Sequence, residues 1–406
     1  METRFRRGGL ELLPVLALFV VVLYLAQHFR EMQNGIDFCH FYAAARIVRD
    51  GRGAQLYDPL LQYDYLARYS GRVGTYFNHP AFETLIYLPF CLWTLSSGYT
   101  LWSAFNAVLL LFVAKLLSNQ LLLSRSWPLL GFVSLLYVPV VLNFLQGQDS
   151  LLLLFLLCAA FTAEQRHRNF LAGCLLACGL FKFHLVIPLA IVLMVGAGRS
   201  LWRGLVCGGL GLIGLSATSL GWSAISMYPQ FLYRLSSLPL AGIHYRAMAN
   251  LRGLWEVAVS DSSRLTFCFA VGSSLAVLGI GAHASLLCKR SSCNKLAWAI
   301  AVLTATLVSY QISPHDLTIL LLPVALLVDH IRTDKEVPQI TRVLVVVTSG
   351  LLLLPPLHLL LLAHHVYAPI GVITIVLYVA TYAEIQRYPC STMEQGQPSK
   401  PPTASP

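Results

Sequence analysis

The sequence predicts an all-α polytopic membrane protein, and three observations lead to this prediction. Of the 406 residues, 57% are hydrophobic and 11% are charged, whereas about a quarter of the residues in a typical soluble domain are charged. The apolar residues form long runs, many of which approach the roughly 20 residues that a helix needs to cross a bilayer. The runs do not alternate apolar with polar residues at period two, so they favour helices over a β-barrel.

Thirteen apolar segments are candidate spans, and the basic residues between them indicate their orientation. The segments are 10–28, 80–97, 100–117, 127–145, 149–163, 170–182, 184–198, 203–222, 264–288, 296–312, 316–329, 340–362 and 366–385. Arg4, Arg6 and Arg7 precede the first segment, which we interpret as an uncleaved signal anchor rather than a signal peptide, because no small-residue cleavage site follows it. Since Lys and Arg are enriched in cytoplasmic loops, these arginines place the amino terminus in the cytoplasm.

The other basic connectors agree with this orientation only if two segments are reinterpreted. The connectors are Lys115 with Arg125, Arg166 with Arg168, Arg199 with Arg203, Lys289 with Arg290 and Lys295, and Arg332 with Lys335. The run 170–198 must then fold as a hairpin that presents Lys182 and His184 at its external turn. The run 80–117 must cross once, so that one of its two stretches is re-entrant or interfacial. A single long helix with Lys182 at mid-membrane is the alternative for 170–198.

This topology predicts one membrane domain over residues 1–388, with about 12 crossings and both termini in the cytoplasm. The large external loops are 29–79 and 223–263, and residues 389–406, rich in Pro, Ser, Gln and Thr, are predicted to be a disordered cytoplasmic tail. The net charge of +10 lies mainly in the connectors, so it indicates membrane orientation rather than nucleic-acid binding. The ten cysteines show no CxxC pair, and His364 with His365 lacks further ligands, so we expect neither disulfides nor a metal site.

Two of the predicted external segments carry acidic and amide side chains. For each, a role in a functional site and a purely structural role as a helix cap are both consistent with the sequence. Asp37 follows the first span, where a carboxylate can accept a proton from a substrate at the membrane surface; it would equally suit a cap for the helix that starts near Phe38. Gln148 and Asp149 follow Gly147 in a turn between two spans, where they either face a ligand or cap the next helix.

Cationic and histidine side chains form the second group of candidates. Lys182 and His184 interrupt an apolar run, where a buried cation costs roughly 2.5 kcal/mol or more, so they suggest a phosphate ligand; a lysine that extends to the interface is the alternative. Arg252, close to Arg246, lies on the side that should be poor in positive charge, which suggests an anionic ligand or a helix on anionic headgroups. His315 suits phosphate binding, a hydrogen bond to the first-loop aspartate, or a structural role.

These motifs, in this order, resemble the polyprenyl-phosphate-sugar-dependent glycosyltransferases of the GT-C superfamily, specifically glycosyltransferase family 87, and the resemblance covers about residues 30 to 330. The matching elements are Asp37-Phe38-x-x-Phe41-Tyr42-x-Ala44-Ala45-Arg46, Leu56-Tyr57-Asp58-Pro59, the Pro80-to-Pro89 segment before Trp102 and Asn106, Gly147-Gln148, Lys182 in a Gly-x-x-Lys context, Asn250-Leu251-Arg252-Gly253 and Pro314-His315-Asp316-Leu317. The sequence departs from the family pattern at Asp149, where relatives often have asparagine, at Asn78-His79-Pro80, which replaces aromatic-proline-proline, and at Phe183, where proline is common.

The resemblance implies a GT-C-like bundle in the plasma membrane that transfers a hexose, with mannose expected, from a polyprenyl-phosphate donor to a glycolipid or glycan acceptor with inversion. Asp37 would be the general base on the extracytoplasmic side. The donor phosphate would be bound by Lys182, His184, Arg252 and His315. The sugar or acceptor would be bound by Gln148, Asp149, Tyr42 and Arg46. No cofactor and no nucleic-acid partner is expected, and membrane lipids surround the bundle.

A secondary transporter or a lipid-linked-sugar flippase is the alternative from another functional class. Broken helices and charge within the membrane are also marks of transporters. Transporters usually show two similar halves, whereas this sequence shows no internal repeat and carries its polar residues in the predicted external loops. These observations favour the transferase.

Overall fold

The computed structural model describes residues 13–21, 24, 37–70, 76–120, 127–237, 245–259, 263–291 and 293–388. Every regular element in these residues is helical, as the long apolar runs predict. The first predicted span, 10–28, is described only in part, and the predicted tail at 389–406 lies outside the described residues.

The α-helices are numbered here in chain order and are joined in places by short 3-10 helices. They are α1 (Phe38–Arg49), α2 (Pro59–Ser70), α3 (Glu83–Tyr87), α4 (Leu95–Gln120), α5 (Trp127–Val133), α6 (Val138–Gln146), α7 (Ser150–Gln165), α8 (Asn169–Cys178), α9 (Phe183–Ala197), α10 (Arg199–Leu220), α11 (Trp222–Ser226), α12 (Tyr228–Ser237), α13 (Leu251–Ala258), α14 (Ser263–Ser291), α15 (Asn294–Val308), α16 (Leu321–Thr333), α17 (Gln339–Leu352), α18 (Pro355–Ala363) and α19 (Ala368–Gln386). The 3-10 helices are Gly53–Gln55, Phe90–Leu92, Ser134–Leu136, Gly179–Lys182, Tyr245–Ala247 and Pro314–Leu320.

Among the described residues, six helical runs are long and apolar enough to cross a membrane, or up to eight if each of two bent pairs is one span. The pairs are 127–136 with α6, bent by 82°, and α17 with α18, bent by 53°. Pro139 and Pro355 stand at the start of the second helix of each pair. Proline has no N–H group to donate to a carbonyl of the preceding turn, so the first helix cannot continue unbroken into the second. The chain is thus a polytopic all-α membrane protein, but the described helices of spanning length do not reach the predicted 12, because several apolar segments are bent or, like α7 and α15, short.

The run from α8 to α9 has the length and composition of one span, but its packing shows that the chain reverses. The start of α10, which directly follows α9, packs closely against the start of α8. A Cβ atom on Gly204 of α10 would lie only 2.0 Å from the carbonyl oxygen of Phe170, and a Cβ atom on Gly173 would lie 2.1 Å from the carbonyl oxygen of Leu201. A straight helix would instead separate the start of α8 from the start of α10 by roughly 45 Å, at 1.5 Å per residue. The turn lies at the 3-10 helix Gly179–Lys182, which agrees with the predicted hairpin and contradicts the long-helix alternative.

The segment 80–97 is not a separate span. Its helices, α3 and the 3-10 helix Phe90–Leu92, are short and pack against α1, while α4 begins at Leu95 and crosses alone. Phe41 of α1 stacks on Tyr87 of α3 with ring centroids 4.5 Å apart, and Tyr87 packs on Trp102 of α4 at the same centroid distance. Only one of the two stretches in 80–117 thus has the length and composition of a span, which agrees with the prediction that the other does not cross.

The basic connectors and the polar loops lie at opposite ends of the bundle. At one end, Lys295 pairs with Asp329 at 2.6 Å, and Trp298 donates a hydrogen bond to Glu164, next to the connector of Arg166. At the other end, which we call the polar end, the loops that carry Asp37, Gly147, Lys182, Asn250 and Pro314 meet. The tertiary structure thus gathers the candidate site residues at one end.

Candidate functional site

An ion triad lies at the centre of the polar end. Lys182 Nζ donates a hydrogen bond to Asp316 Oδ1 at 2.6 Å and lies 2.8 Å from Asp149 Oδ1. All three side chains are buried. The hydroxyl of Ser150 also donates to Asp316 Oδ1, at 3.0 Å. A lysine that extends to the interface is thereby ruled out, because a buried ammonium between two carboxylates is a fixed structural partner.

The turn between α6 and α7 positions this triad. Gly147 has φ +66°, a left-handed conformation that favours glycine, and a Cβ atom there would lie 2.6 Å from Phe38 Cβ. Its carbonyl accepts a hydrogen bond from Trp102 Nε1 at 3.0 Å. The glycine thus lets the turn contact the start of α1, so that Asp37 and Gln148 become neighbours.

Asp37 accepts a hydrogen bond from Gln148 Nε2 at its Oδ2, over 2.6 Å. Neither Asp37 nor Asp149 caps the helix that follows it through its side chain, so the capping alternatives are wrong for both residues. Asp37 is half-buried, whereas Asp149 and Asp316 are buried and paired with the lysine. Asp37 is therefore the carboxylate of this group that a substrate can reach most easily.

His315 and His184 adjoin the triad. His315 Nδ1 lies 2.6 Å from Gln146 Oε1 and its Nε2 lies 3.6 Å from Asp316 Oδ1. It therefore bonds Gln146 rather than Asp37, the partner considered from the sequence. His184 lies within electrostatic range of Lys182 and His315, and its buried Nε2 atom has no hydrogen-bond partner among the described residues. These two imidazoles provide ring nitrogens next to the ion triad.

Arg252 lies on a separate part of the polar end. Its guanidinium stacks on Tyr245, 3.9 Å from the ring centroid, and its Nη1 donates to the carbonyl of Tyr310 at 3.4 Å. Asn250 caps α13 by accepting from the N–H of Gly253 at 2.9 Å, which gives the Asn-Leu-Arg-Gly motif a structural role. The described contacts do not join Arg252 to Lys182, His184 or His315.

The structure does not bring Tyr42 and Arg46 to the ion triad. The hydroxyl of Tyr42 donates to the carbonyl of Trp93 at 2.7 Å and accepts from Arg46 Nη2 at 2.8 Å. The guanidinium of Arg46 lies 4.9 Å from the ring centroid of Tyr69. These contacts hold α1 against the 80–97 segment, so the two residues have a structural role in this arrangement.

His79 and Glu83 are site residues that sequence reasoning missed. His79 Nδ1 lies 2.9 Å from Glu83 Oε2, and ligand atoms of His79, Glu83 and Asp149 all lie within 4.8 Å of one another. Burial, with smaller opposing effects from neighbouring charges, lowers the pKa of His79 to about 3. Burial and then the charge of Asp149 raise the pKa of Glu83 well above its usual value. The available signal was a glutamate inside an apolar run, 81–93.

The pKa of Asp149 shifts in the opposite direction to that of Glu83. Burial, the largest single effect, would raise the pKa, but the charge of Lys182 together with smaller effects of Glu83 and His79 holds it below the usual value. Two neighbouring buried carboxyl groups thus have different environments, and the lysine decides which of them stays ionised.

Comparison with known proteins identifies the chain. The model of glycosyltransferase family 87 matches residues 77–314, more than half of the chain. The match includes α3, the turn at Gly147, the hairpin at Lys182 and the arginine-containing helix α13. No curated protein and no solved structure matches the sequence. The chain belongs to glycosyltransferase family 87, and it is a membrane glycosyltransferase.

Proposed function

We propose that the protein transfers a hexose, with mannose expected, from a polyprenyl-phosphate donor to a hydroxyl of a glycolipid or glycan, with inversion at the anomeric carbon. The observation that carries the proposal is the position of Asp37, a half-buried carboxylate held by Gln148 beside the buried ion triad. The transporter and flippase alternatives gain no support from the family match.

Asp37 is the general base in this proposal. The acceptor O–H proton passes to the Asp37 carboxylate while the acceptor oxygen forms a bond to the anomeric carbon. The bond between that carbon and the phosphate oxygen breaks, and its electron pair leaves with the polyprenyl phosphate. The neighbouring carboxylates are less suitable bases, because Asp149 and Asp316 already balance Lys182 and Glu83 is fully buried.

Negative charge grows on the departing phosphate, so the proposal needs cations and donors near it. Arg252 has a half-buried guanidinium at the polar end, and His184 and His315 offer ring nitrogens beside the triad. Lys182 remains in this group through its charge, but its ammonium already contacts two carboxylates, so we assign it to positioning them. Gln148 positions the base, Asp37, through its hydrogen bond, and Asp149 follows Gln148 in the same turn.

The membrane arrangement is part of the same proposal. We place the polar end on the extracytoplasmic side of the plasma membrane and the basic connectors, with both termini, in the cytoplasm. The bent and short apolar helices would then cross together with the long runs, and the run from α8 to α9 would form a hairpin, in a GT-C-like bundle of about 12 crossings. The donor tail would remain in the bilayer while its phosphosugar reaches the polar end.

The test is transfer of radiolabelled sugar from polyprenyl-phosphate mannose to a lipid extract by the purified protein. We expect Asp37→Asn to lower the rate roughly 10²–10⁴-fold, the usual contribution of a positioned general base. Asp64→Asn is the matched control, because Asp64 belongs to the same loop but is 55% exposed and pairs only with Arg68 in the described contacts. Its rate should equal that of the wild type.

Each outcome of this assay has a definite meaning. A rate for Asp37→Asn above a tenth of the wild-type rate would exclude Asp37 as the base. Transfer by the wild type from a different polyprenyl-phosphate sugar, but not from the mannose donor, would correct the sugar and keep the mechanism. Absence of transfer from every polyprenyl-phosphate sugar tried would overturn the donor class.

A further inference from the structure

His79, Glu83 and Asp149 form a compact group that the proposed reaction does not use. It combines one imidazole nitrogen with two carboxylates, whose ligand atoms all lie within 4.8 Å of one another. The fold brings His79 and Asp149 together from positions 70 residues apart. This ligand set suits divalent cations such as Mn²⁺, Fe²⁺ and Zn²⁺.

One oxygen of each carboxyl in this group, Glu83 Oε1 and Asp149 Oδ2, has no hydrogen-bond partner among the described residues, although both side chains are fully buried. The other oxygens do have neighbours, since Glu83 Oε2 lies 2.9 Å from His79 Nδ1 and Asp149 Oδ1 lies 2.8 Å from Lys182 Nζ. Burying carboxylate oxygens without hydrogen bonds is costly, so such atoms usually have a charged or metal partner. Lys182 provides one positive charge for Asp149 and Asp316 together. One ammonium therefore faces three buried carboxylates.

A second group with similar ligands lies at the opposite end, and the comparison is informative. His330, Asp334 and Glu384 also place their ligand atoms within 4.8 Å of one another. There, however, Arg387 Nη1 contacts both oxygens of Glu384 at 3.0 Å, and Asp334 accepts from Tyr388 and from the N–H of Glu336. Protein donors already satisfy those carboxylates, so nothing in that group calls for a cation.

We propose that His79, Glu83 and Asp149 bind one divalent cation of the Mn²⁺ class beside Lys182. The divalent cation and the ammonium of Lys182 together carry three positive charges, which balance the three buried carboxylates. If Glu83 is instead protonated and no cation is bound, two carboxylates face one ammonium and one negative charge remains unbalanced. Three protein ligands leave coordination positions open for water or for an oxygen of a phosphate. The site rests on these contacts and not on the donor proposed above.

The experiment is Mn²⁺ binding to the full chain in detergent, followed by electron paramagnetic resonance of the free ion, without any substrate. We expect about one Mn²⁺ per chain in the wild type. Removing a ligand in Glu83→Gln or His79→Asn should weaken binding more than about 100-fold, since even partners of metal ligands contribute 10–100-fold. His330→Asn is the matched control and should bind like the wild type. Thermal melting of each variant checks that it is folded.

The outcomes separate the possible occupants. Zn²⁺ is diamagnetic, so its binding is measured by equilibrium dialysis and metal analysis. If the wild type binds neither Mn²⁺ nor Zn²⁺, the proposal is overturned and a proton on Glu83 is the occupant. Loss of binding in His330→Asn but not in Glu83→Gln or His79→Asn would assign the ion to the other group and equally overturn the proposal. Because no sugar is transferred in this assay, its result is independent of whether the donor assignment holds.

Discussion

Removing the charge of Lys182 is the sharpest test of the ion triad. In Lys182→Met a side chain of similar length loses its ammonium, and Asp149 and Asp316 remain buried without their cation. Breaking a buried ion pair on one side costs about 3–5 kcal/mol, because the remaining charge has no partner. With an unfolding entropy of about 2.1 cal/mol/K per residue, a chain of roughly 400 residues loses about 4–6 °C in Tm.

The assay is thermal unfolding of the detergent-purified variants at neutral pH. Arg68→Met is the matched control, because its pair with Asp64 is 2.8 Å long but 56% and 55% exposed, and exposed pairs contribute about 0–1 kcal/mol. The control should lose no more than about 1 °C. A second substitution, Asp149→Asn, added to Lys182→Met should restore part of the lost stability, because it removes one of the two unpaired charges.

The reasoning fails if Lys182→Met melts within 1 °C of Arg68→Met. The same holds if the added Asp149→Asn lowers the Tm of Lys182→Met further, because then Asp149 is stabilised by something other than the lysine. In either case the contacts of the triad would not contribute the free energy assigned to them here.

Three further predictions address the polar end. Gln148→Leu removes the hydrogen-bond donor to Asp37. Because hydrogen bonds to charged groups are worth about 1.5–3 kcal/mol, kcat for sugar transfer should fall roughly 10- to 100-fold. An unchanged kcat would show that Gln148 does not position the base. Gly147→Ala, at φ +66° with a carbon 2.6 Å away, should lower the Tm more than Gly51→Ala, at φ +75° in open space; equal losses would mean that only backbone strain matters. Phe183→Cys, in a chain without native cysteines, should react with an impermeant thiol reagent from outside, and reaction only from the cytoplasm would reverse the proposed orientation.

Several features of the fold could be predicted from the sequence because they depend on local pattern. The apolar runs predicted most helices, and the basic connectors predicted both the reversal at Lys182 and the non-crossing segment at 80–97. The number of crossings was predicted less well. Pro139 and Pro355 bend two spans, and bending within an apolar run leaves composition unchanged.

The candidate site was predicted in part. Asp37, Gln148, Asp149 and Lys182 do meet, but which of them contact one another did not follow from their positions in the chain. The phosphate role expected for Lys182 assumed a free ammonium, because the two carboxylates that flank it come from distant parts of the chain. The expected ligand roles of Tyr42 and Arg46 similarly gave way to contacts with Trp93 and Tyr69.

By itself the sequence determined that this chain is a helical membrane protein with the motifs of a glycosyltransferase, because hydrophobic run length, helix formation and motif order are properties of contiguous residues. Only the tertiary structure decided which buried charges pair. Asp316 is 134 residues from Lys182, and Glu83 is 66 residues from Asp149. A charge buried in a membrane protein is stable only beside a partner, and helix packing brings that partner from elsewhere in the chain.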